Sequence, residues 1–281
     1  MKIVRYGPVG EERPGMIDST GKLRSLHPLL KDFTSDMLAP ESLAILTAID
    51  AAKLPLVDGT PRLGVPVTGI RQIIAIGANY ADHCAEGGID VPKYPLVFAK
   101  AVGSLCGCDD PVVIPSSAGA LDWEIELAVL IGTGGRDIAE DNALRHVAGY
   151  STAVDFSERD WMLKFGLQLQ QGKSLDTFTP LGPWFVTSDE VGDPQALDLW
   201  LDVDGIRRQS GNTRDMVFSV AQIIAYVSQY QTLLPGDLIV TGTPGGVGHC
   251  MKPPVYLRIG DGVTCGVAKL GDQSHTVAER A

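Results

Sequence analysis

The stretch LDWEIELAVLIG, residues 121–132, decides how the rest of the chain is read. Ile125, Leu127 and Val129 alternate with Glu124 and Glu126, the period-2 pattern of a β-strand whose successive side chains point to opposite faces. Trp123, Ile125, Leu127 and Val129 are then expected to pack on one side, and both glutamates to project together on the other. Residues two apart on a strand have α-carbons about 7 Å apart, so the two carboxylates can reach one cation between them. A solvated strand face shows the same pattern, and the stretch alone does not separate the two readings.

Outward from this strand the chain alternates strands with Gly/Pro turns. LDLWLDVDG (residues 197–205) alternates before an Asp-Gly turn, and LIV (238–240) runs into the glycine-rich VTGTPGGVG. VYLRIGDGVTCGVAKLG (255–271) reads as two strands joined through Gly260-Asp261-Gly262. Helices are expected at AEDNALRHV (139–147) and at SVAQIIAYVSQY (219–230), the latter with Ser219 as N-cap. Before Val65, KIVRYG reads as a strand, PGMIDSTGKLRSL as a hairpin and ESLAILTAIDAAKL as a helix. The Pro- and Gly-rich PLVDGTPRLGVPVTG marks a boundary, dividing a small N-terminal α+β unit (1–65) from a main unit (66–281). The fold class expected is β-dominated α+β. The chain carries no repeat, no G-x-G-x-x-G and no phosphate-binding P-loop.

Composition narrows the function classes. The 281 residues carry 23 basic against 34 acidic side chains, a net charge of −11, which speaks against nucleic-acid binding. No apolar run approaches the roughly 18 residues of a membrane span. The N-terminus lacks a hydrophobic signal core, and the five dispersed cysteines suit a reducing compartment, so a cytoplasmic protein is expected. Cys106 and Cys108 form a C-x-C pair without a second pair at zinc spacing.

Several residues can carry chemistry. Two neighbouring carboxylates at Glu124 and Glu126 repel, and oxygen-only ligands of this kind select Mg²⁺, Ca²⁺ or Mn²⁺ over zinc. Asp155, at the end of the apolar run in AGYSTAVDFSERD, can supply a third carboxylate, although it equally suits a helix cap. Arg159, four residues on, can hold a substrate carboxylate. Lys173 in QQGKSLDTFTPLGPW can neutralise charge developing on a bound anion, or be a loop cation. The amides of VTGTPGGVG and the Thr243 hydroxyl can cradle a carboxylate. In IGANYADHCAEGG (76–88), His83 and Glu86 meet if the segment makes one helical turn, a base with its orienter; a solvated loop histidine is the plainer alternative.

Taken in order, IGANYADHCAEGG, LDWEIELAVLIG, VDFSERD, QGKSLDTFTPLGPW and LIVTGTPGGVG resemble the fumarylacetoacetate hydrolase family over roughly residues 70 to 275. The resemblance implies a mixed β-roll catalytic domain with a small N-terminal domain, assembled as a homodimer or higher homo-oligomer. It implies a Mg²⁺ or Mn²⁺ site at Glu124, Glu126 and Asp155, a water-activating dyad at His83 and Glu86, and a charge-stabilising Lys173. Arg159 and Thr243 match substrate-contacting positions. In relatives the dyad segment often orders over the site when ligand binds, and the same is expected here. The opening MKIVRYGPVGEERPGMID is similar to the branch that hydrolyses 2,4-diketo-3-deoxy sugar acids, such as the L-rhamnonate or L-fuconate derivative, to pyruvate and a hydroxy acid. Oxaloacetate decarboxylation, an isomerase or ureidoglycolate lyase-like reaction, and a non-catalytic binding module are the alternatives on the same fold.

Overall fold

The structure is a computed structural model and describes residues 1–280 except 116, 118 and 165. The decisive stretch forms a short strand at Leu121–Asp122 and a longer one at Ile125–Ile131, in which every residue is buried. The longer strand lies inside a mixed sheet of ten strands among the described residues. Its antiparallel neighbours are Val147–Val154 on one side and Leu238–Val240 on the other. Beyond Leu238–Val240 come Ile73–Gly77, paired in parallel, and Leu96–Lys100. Beyond Val147–Val154 come Thr179–Thr187 and then the N-terminal strands Lys2–Tyr6, Arg13–Ile17 and Leu23–Ser25.

Both faces of this sheet are covered, so no row of the alternation is left to water. Ile125, Leu127, Val129 and Ile131 pack against Leu199, Leu201, Val263 and Val267 and against Ile223, Ile224 and Val227. The first set belongs to a second, five-stranded sheet containing Asp198–Val203 and Gly262–Val267; the second lines the buried side of the Val220–Tyr230 helix. On the opposite face Ala128 and Leu130 join Leu26, Phe33, Leu38 and Phe185 in a separate core. Glu124 and Glu126 share that face, at the end where this core stops and the site begins.

The local readings hold in most places. The Ser219 hydroxyl accepts from the Gln222 amide while the Gln222 side chain accepts from the Ser219 amide, a reciprocal capping box. The Asp-Gly turn closes the hairpin of Asp198–Val203 with Ile206–Asn212, both turn residues having positive φ (51° and 74°), as two-residue hairpin turns require. Three readings differ. The helix expected over 41–54 is Pro40–Thr47, and a separate 3₁₀ turn follows at Ala51–Lys53. The 139–147 helix shrinks to Glu140–Ala143 followed by a 3₁₀ turn at Leu144–His146, because strand Val147–Val154 claims the chain that follows. Gly260-Asp261-Gly262 leads into strand Gly262–Val267 instead of joining two strands; the hairpin partner of that strand is Gly271–Glu279, and Leu257 makes only a single bridge to Leu121.

A charged clamp ties the N-terminal residues to the connection between strands Leu105–Cys106 and Val112–Ile114. Arg62 donates from Nε and Nη2 to the two carboxylate oxygens of Asp110 at 2.6 Å each, and from Nη1 to Glu12 at 2.9 Å. Burial alone would raise the Asp110 carboxyl, but Arg62 and the Gly107 amide outweigh it and hold it below the ordinary aspartate range. A carboxyl depressed by folding contributes stability above its unfolded value, about 3.9, and loses it as pH falls through the folded value. Asp110→Asn is therefore expected to lower stability at neutral pH and to flatten the fall in stability below about pH 4, read by urea midpoints at a series of pH values. An unchanged acid limb would show that the clamp does not contribute there.

Candidate metal centre and catalytic dyad

Glu124 and Glu126 leave the start of the Ile125–Ile131 strand on one face, and Asp155 follows the neighbouring strand Val147–Val154 at its end. Antiparallel pairing sets Val154 beside Ile125, which brings the end of one strand to the start of the other. One carboxylate oxygen from each of the three lies within 4.8 Å of the other two, and all three side chains are buried. Asp155 does not cap the helix that follows; Glu158 does, accepting from the Asp160 amide.

Three buried cations surround the trio. Lys173 donates to Glu124 at 2.7 Å, Asp155 at 2.6 Å and the Ser157 hydroxyl at 2.8 Å, which uses all three of its N–H bonds. Arg159 donates to Asp122 at 2.9 and 2.7 Å and to Glu124 at 2.6 Å. Lys100 pairs with Asp155 and donates to the Phe178 carbonyl. Burial opposes ionisation of Glu124, but the charges of Lys173 and Arg159 outweigh it and hold the carboxyl below its ordinary range. Glu126 goes the other way: burial, then the charges of Asp155 and Glu124, push its carboxyl well up. Burial also draws the Lys100 ammonium down against the pull of Asp155.

The donor set suits a hard divalent ion. All three ligand atoms are oxygens, and Glu126 has no cation of its own among the ion pairs of the described residues. With Asp122 included, four buried carboxyl groups face three buried cations, so ionising Glu126 leaves one negative charge that a divalent ion would offset.

His83 and Glu86 sit on the short helix Ala81–Gly87, which Gly88 ends with φ +64°, the left-handed cap that favours glycine. His83 Nδ1 is 2.8 Å from Glu86 Oε1. An ionised carboxylate only accepts, so Nδ1–H donates, and in the neutral ring the lone pair is then on Nε2. Burial would raise Glu86, but the bonds from His83 and from the Gly246 amide outweigh it and hold Glu86 below its ordinary range. Asn79 fixes the entry to this helix: its side chain donates to Thr241 O at 2.8 Å and to Phe218 O at 3.1 Å.

The glycine-rich turn does cradle carboxylates, and they are the protein's own. Amides of Gly242, Gly246 and Gly248 donate to Glu126, Glu86 and Asp122 at 2.7, 2.8 and 2.7 Å. Gly246 has φ +106°, and a β-carbon there would stand 2.0 Å from Arg208 O, so only glycine fits. The Thr243 hydroxyl donates to Ile125 O at 2.8 Å and accepts from Gln209 Nε2 at 2.8 Å.

His83, the three carboxylates, Arg159, Lys173 and Thr243 all line one cavity of about 130 Å³, whose lining also includes Ile89, Leu96, Phe98, Met162 and Leu169. The structure thus brings every site residue expected from the sequence, Glu86 behind His83 included, to one place. Sequence reading passed over Asp122, Lys100, Gln209 and Asn79. Asp122 was within reach, since Asp122-Glu124-Glu126 continues a single period-2 register. Lys100 shows itself only as a lysine ending the apolar run LVFA, a weak mark.

Comparison with known proteins agrees with this geometry. The family model described as fumarylacetoacetate (FAA) hydrolase C-terminal matches residues 72–278. A Burkholderia multivorans protein provisionally named a hydrolase is 53% identical over 274 residues, covering 97% of each chain. A Mycobacterium abscessus structure, provisionally named 2-hydroxyhepta-2,4-diene-1,7-dioate isomerase, superposes with a TM-score of 0.82 at 36% identity, covering 100% of both chains. The maleylpyruvate hydrolase of Sphingobium sp. SYK-6, solved with manganese(II) and pyruvate, gives 0.83 at 29% identity, again covering 100% of both. With the matched region spanning the trio, the dyad and the whole of the core that contains Ile125 and Leu127, the chain belongs to the fumarylacetoacetate hydrolase family.

Proposed function

We propose that the protein is a metal-dependent hydrolase that cleaves the C3–C4 bond of a 2,4-dioxo acid, releasing pyruvate and a second carboxylic acid. The observation that carries this reading is the shared cavity: His83, with Glu86 bonded behind it, and the oxygen-only trio line it together. A Mg²⁺ or Mn²⁺ ion held by Glu124, Glu126 and Asp155 would supply Lewis-acid polarisation of the 2-oxo acid end. Glu86 holds His83 so that Nε2 faces the cavity and takes a proton from water, whose oxygen adds to the C4 carbonyl. Collapse of the adduct breaks C3–C4; the bonding pair leaves on the pyruvate fragment, and a proton completes its methyl group. Lys173, with its donors engaged, favours that charge through its own positive potential. Arg159 keeps Nη1, whose contact is the Met162 sulfur at 3.9 Å, for the substrate carboxylate.

The wall that would face the acyl end is apolar at Ile89, Leu96, Phe98, Met162 and Leu169, which favours a short alkyl acyl group over the polyol of a sugar acid. The opening of the sequence is what supports the sugar-acid reading. A comparison of kcat/KM for a simple acylpyruvate and for a 2,4-diketo-3-deoxy sugar acid separates the two. Reaction in H₂¹⁸O tests the class: one label is expected in the carboxylate of the acid derived from C4. Release of CO₂ from oxaloacetate without label incorporation, and no pyruvate from either 2,4-dioxo acid, would overturn the hydrolase in favour of a decarboxylase.

A further inference from the structure

Behind the dyad stands a thiol that the proposed reaction does not use. Cys250 ends the 3₁₀ turn Gly248–Cys250, just past the glycine-rich turn that holds Glu86. Of the five cysteines, Cys84, Cys106, Cys108 and Cys265 are buried, and Cys250 is the one with partial exposure. It lies against the end of the dyad helix, since a β-carbon on Gly87 would stand 3.7 Å from its Sγ. One ligand atom from each of His83, Glu86 and Cys250 lies within 4.8 Å of the other two, and all three side chains are half-buried.

We propose that His83, Glu86 and Cys250 form a second metal site, distinct from the carboxylate trio, which takes zinc or another thiophilic divalent ion and thereby removes His83 from catalysis. The inhibitory half of this proposal rests on His83 being the base; the binding half does not.

The donor chemistry separates the two sites. The trio offers three hard oxygens, suited to Mg²⁺ or Mn²⁺, whereas one sulfur, one imidazole nitrogen and one oxygen match zinc. Tetrahedral zinc would draw the three atoms to about 3.5 Å from one another, within reach of side-chain rotation at partly exposed positions. Three protein ligands leave a fourth position for water. Burial, then the charge of Glu86, pushes the Cys250 thiol up to about 11, so the ion must displace the thiol proton, which leaves to solvent as the S–metal bond forms. Whichever ring nitrogen of His83 the ion takes, the other carries the ring proton, so neither is left with a lone pair to accept a proton from water.

The test uses the whole protein with saturating Mg²⁺. One equivalent of Cd²⁺ is expected to produce the ultraviolet thiolate-to-metal absorption band in the wild type. The band should be lost in Cys250→Ser and Cys250→Ala and weakened in His83→Ala, with thermal melts confirming that each variant is folded. Inhibition of pyruvate release by Zn²⁺ should weaken at least ~10-fold in Cys250→Ser, the lower end of what even an indirect ligand partner contributes to metal affinity, with activity before zinc addition unchanged. A band that survives in both Cys250 variants overturns the proposal, as does zinc inhibition equally strong in Cys250→Ser or relieved by excess Mg²⁺. If no pyruvate is released by the wild type, the hydrolase reading falls while the Cd²⁺ band still decides the metal site.

Discussion

His83→Ala is expected to lower kcat by about 10²–10⁴-fold, the usual contribution of a positioned general base, while leaving Mg²⁺ or Mn²⁺ affinity at the carboxylate trio unchanged. The separation follows from geometry. His83 contributes no atom to the oxygen trio, and its side-chain partner is Glu86, itself held by the amides of Gly246 and Val247. Loss of the ring removes the acceptor for water's proton and leaves the binding of the 2-oxo acid end intact. Glu86→Gln is expected to act more mildly, because the helix stays in place while the imidazole loses its orienter. Steady-state kinetics alongside calorimetric titration of Mn²⁺ decide the point. A rise in KM at constant kcat would instead make His83 a binding residue.

Lys100→Met is expected to cost about 3–5 kcal/mol of stability, the penalty for breaking a buried ion pair by removing one partner. Lys100 is 3% exposed and joins Asp155 to the carbonyl of Phe178. Its removal strips one of two cations from Asp155 and leaves that carbonyl without its donor. Lys173 remains on Asp155 but already serves Glu124 and Ser157, so it has no spare N–H to offer. A divalent ion bound to the trio would stabilise the folded form by mass action, so saturating Mn²⁺ should recover part of the loss. Urea midpoints with and without the ion measure both effects. A change within about 0.5 kcal/mol of wild type, the range of neutral surface substitutions, would show that Lys173 suffices.

The two residues differ in how far the sequence reveals them. His83 and Glu86 stand three apart in a segment bounded by glycines, so one helical turn joins them without help from the rest of the chain. Glu124 and Glu126 share a face because a strand has period 2, and that too is local. Local pattern is enough for this set: which residues alternate, where Ser219 caps a helix, where Asp204-Gly205 turns a hairpin, and which carboxylates point the same way.

Burial of the carboxylate-bearing face depends on long-range packing. The alternation of residues 121–132 fits a solvated strand equally well, and the choice came from Phe33, Leu38 and Phe185 covering that face from distant parts of the chain. The same holds for Lys100 on Asp155, 55 residues apart, and for the Gly246 amide on Glu86, 160 residues apart. Periodicity encodes the direction in which a side chain points. Its partner there is set by sheet order and register, which depend on the packing of the whole chain.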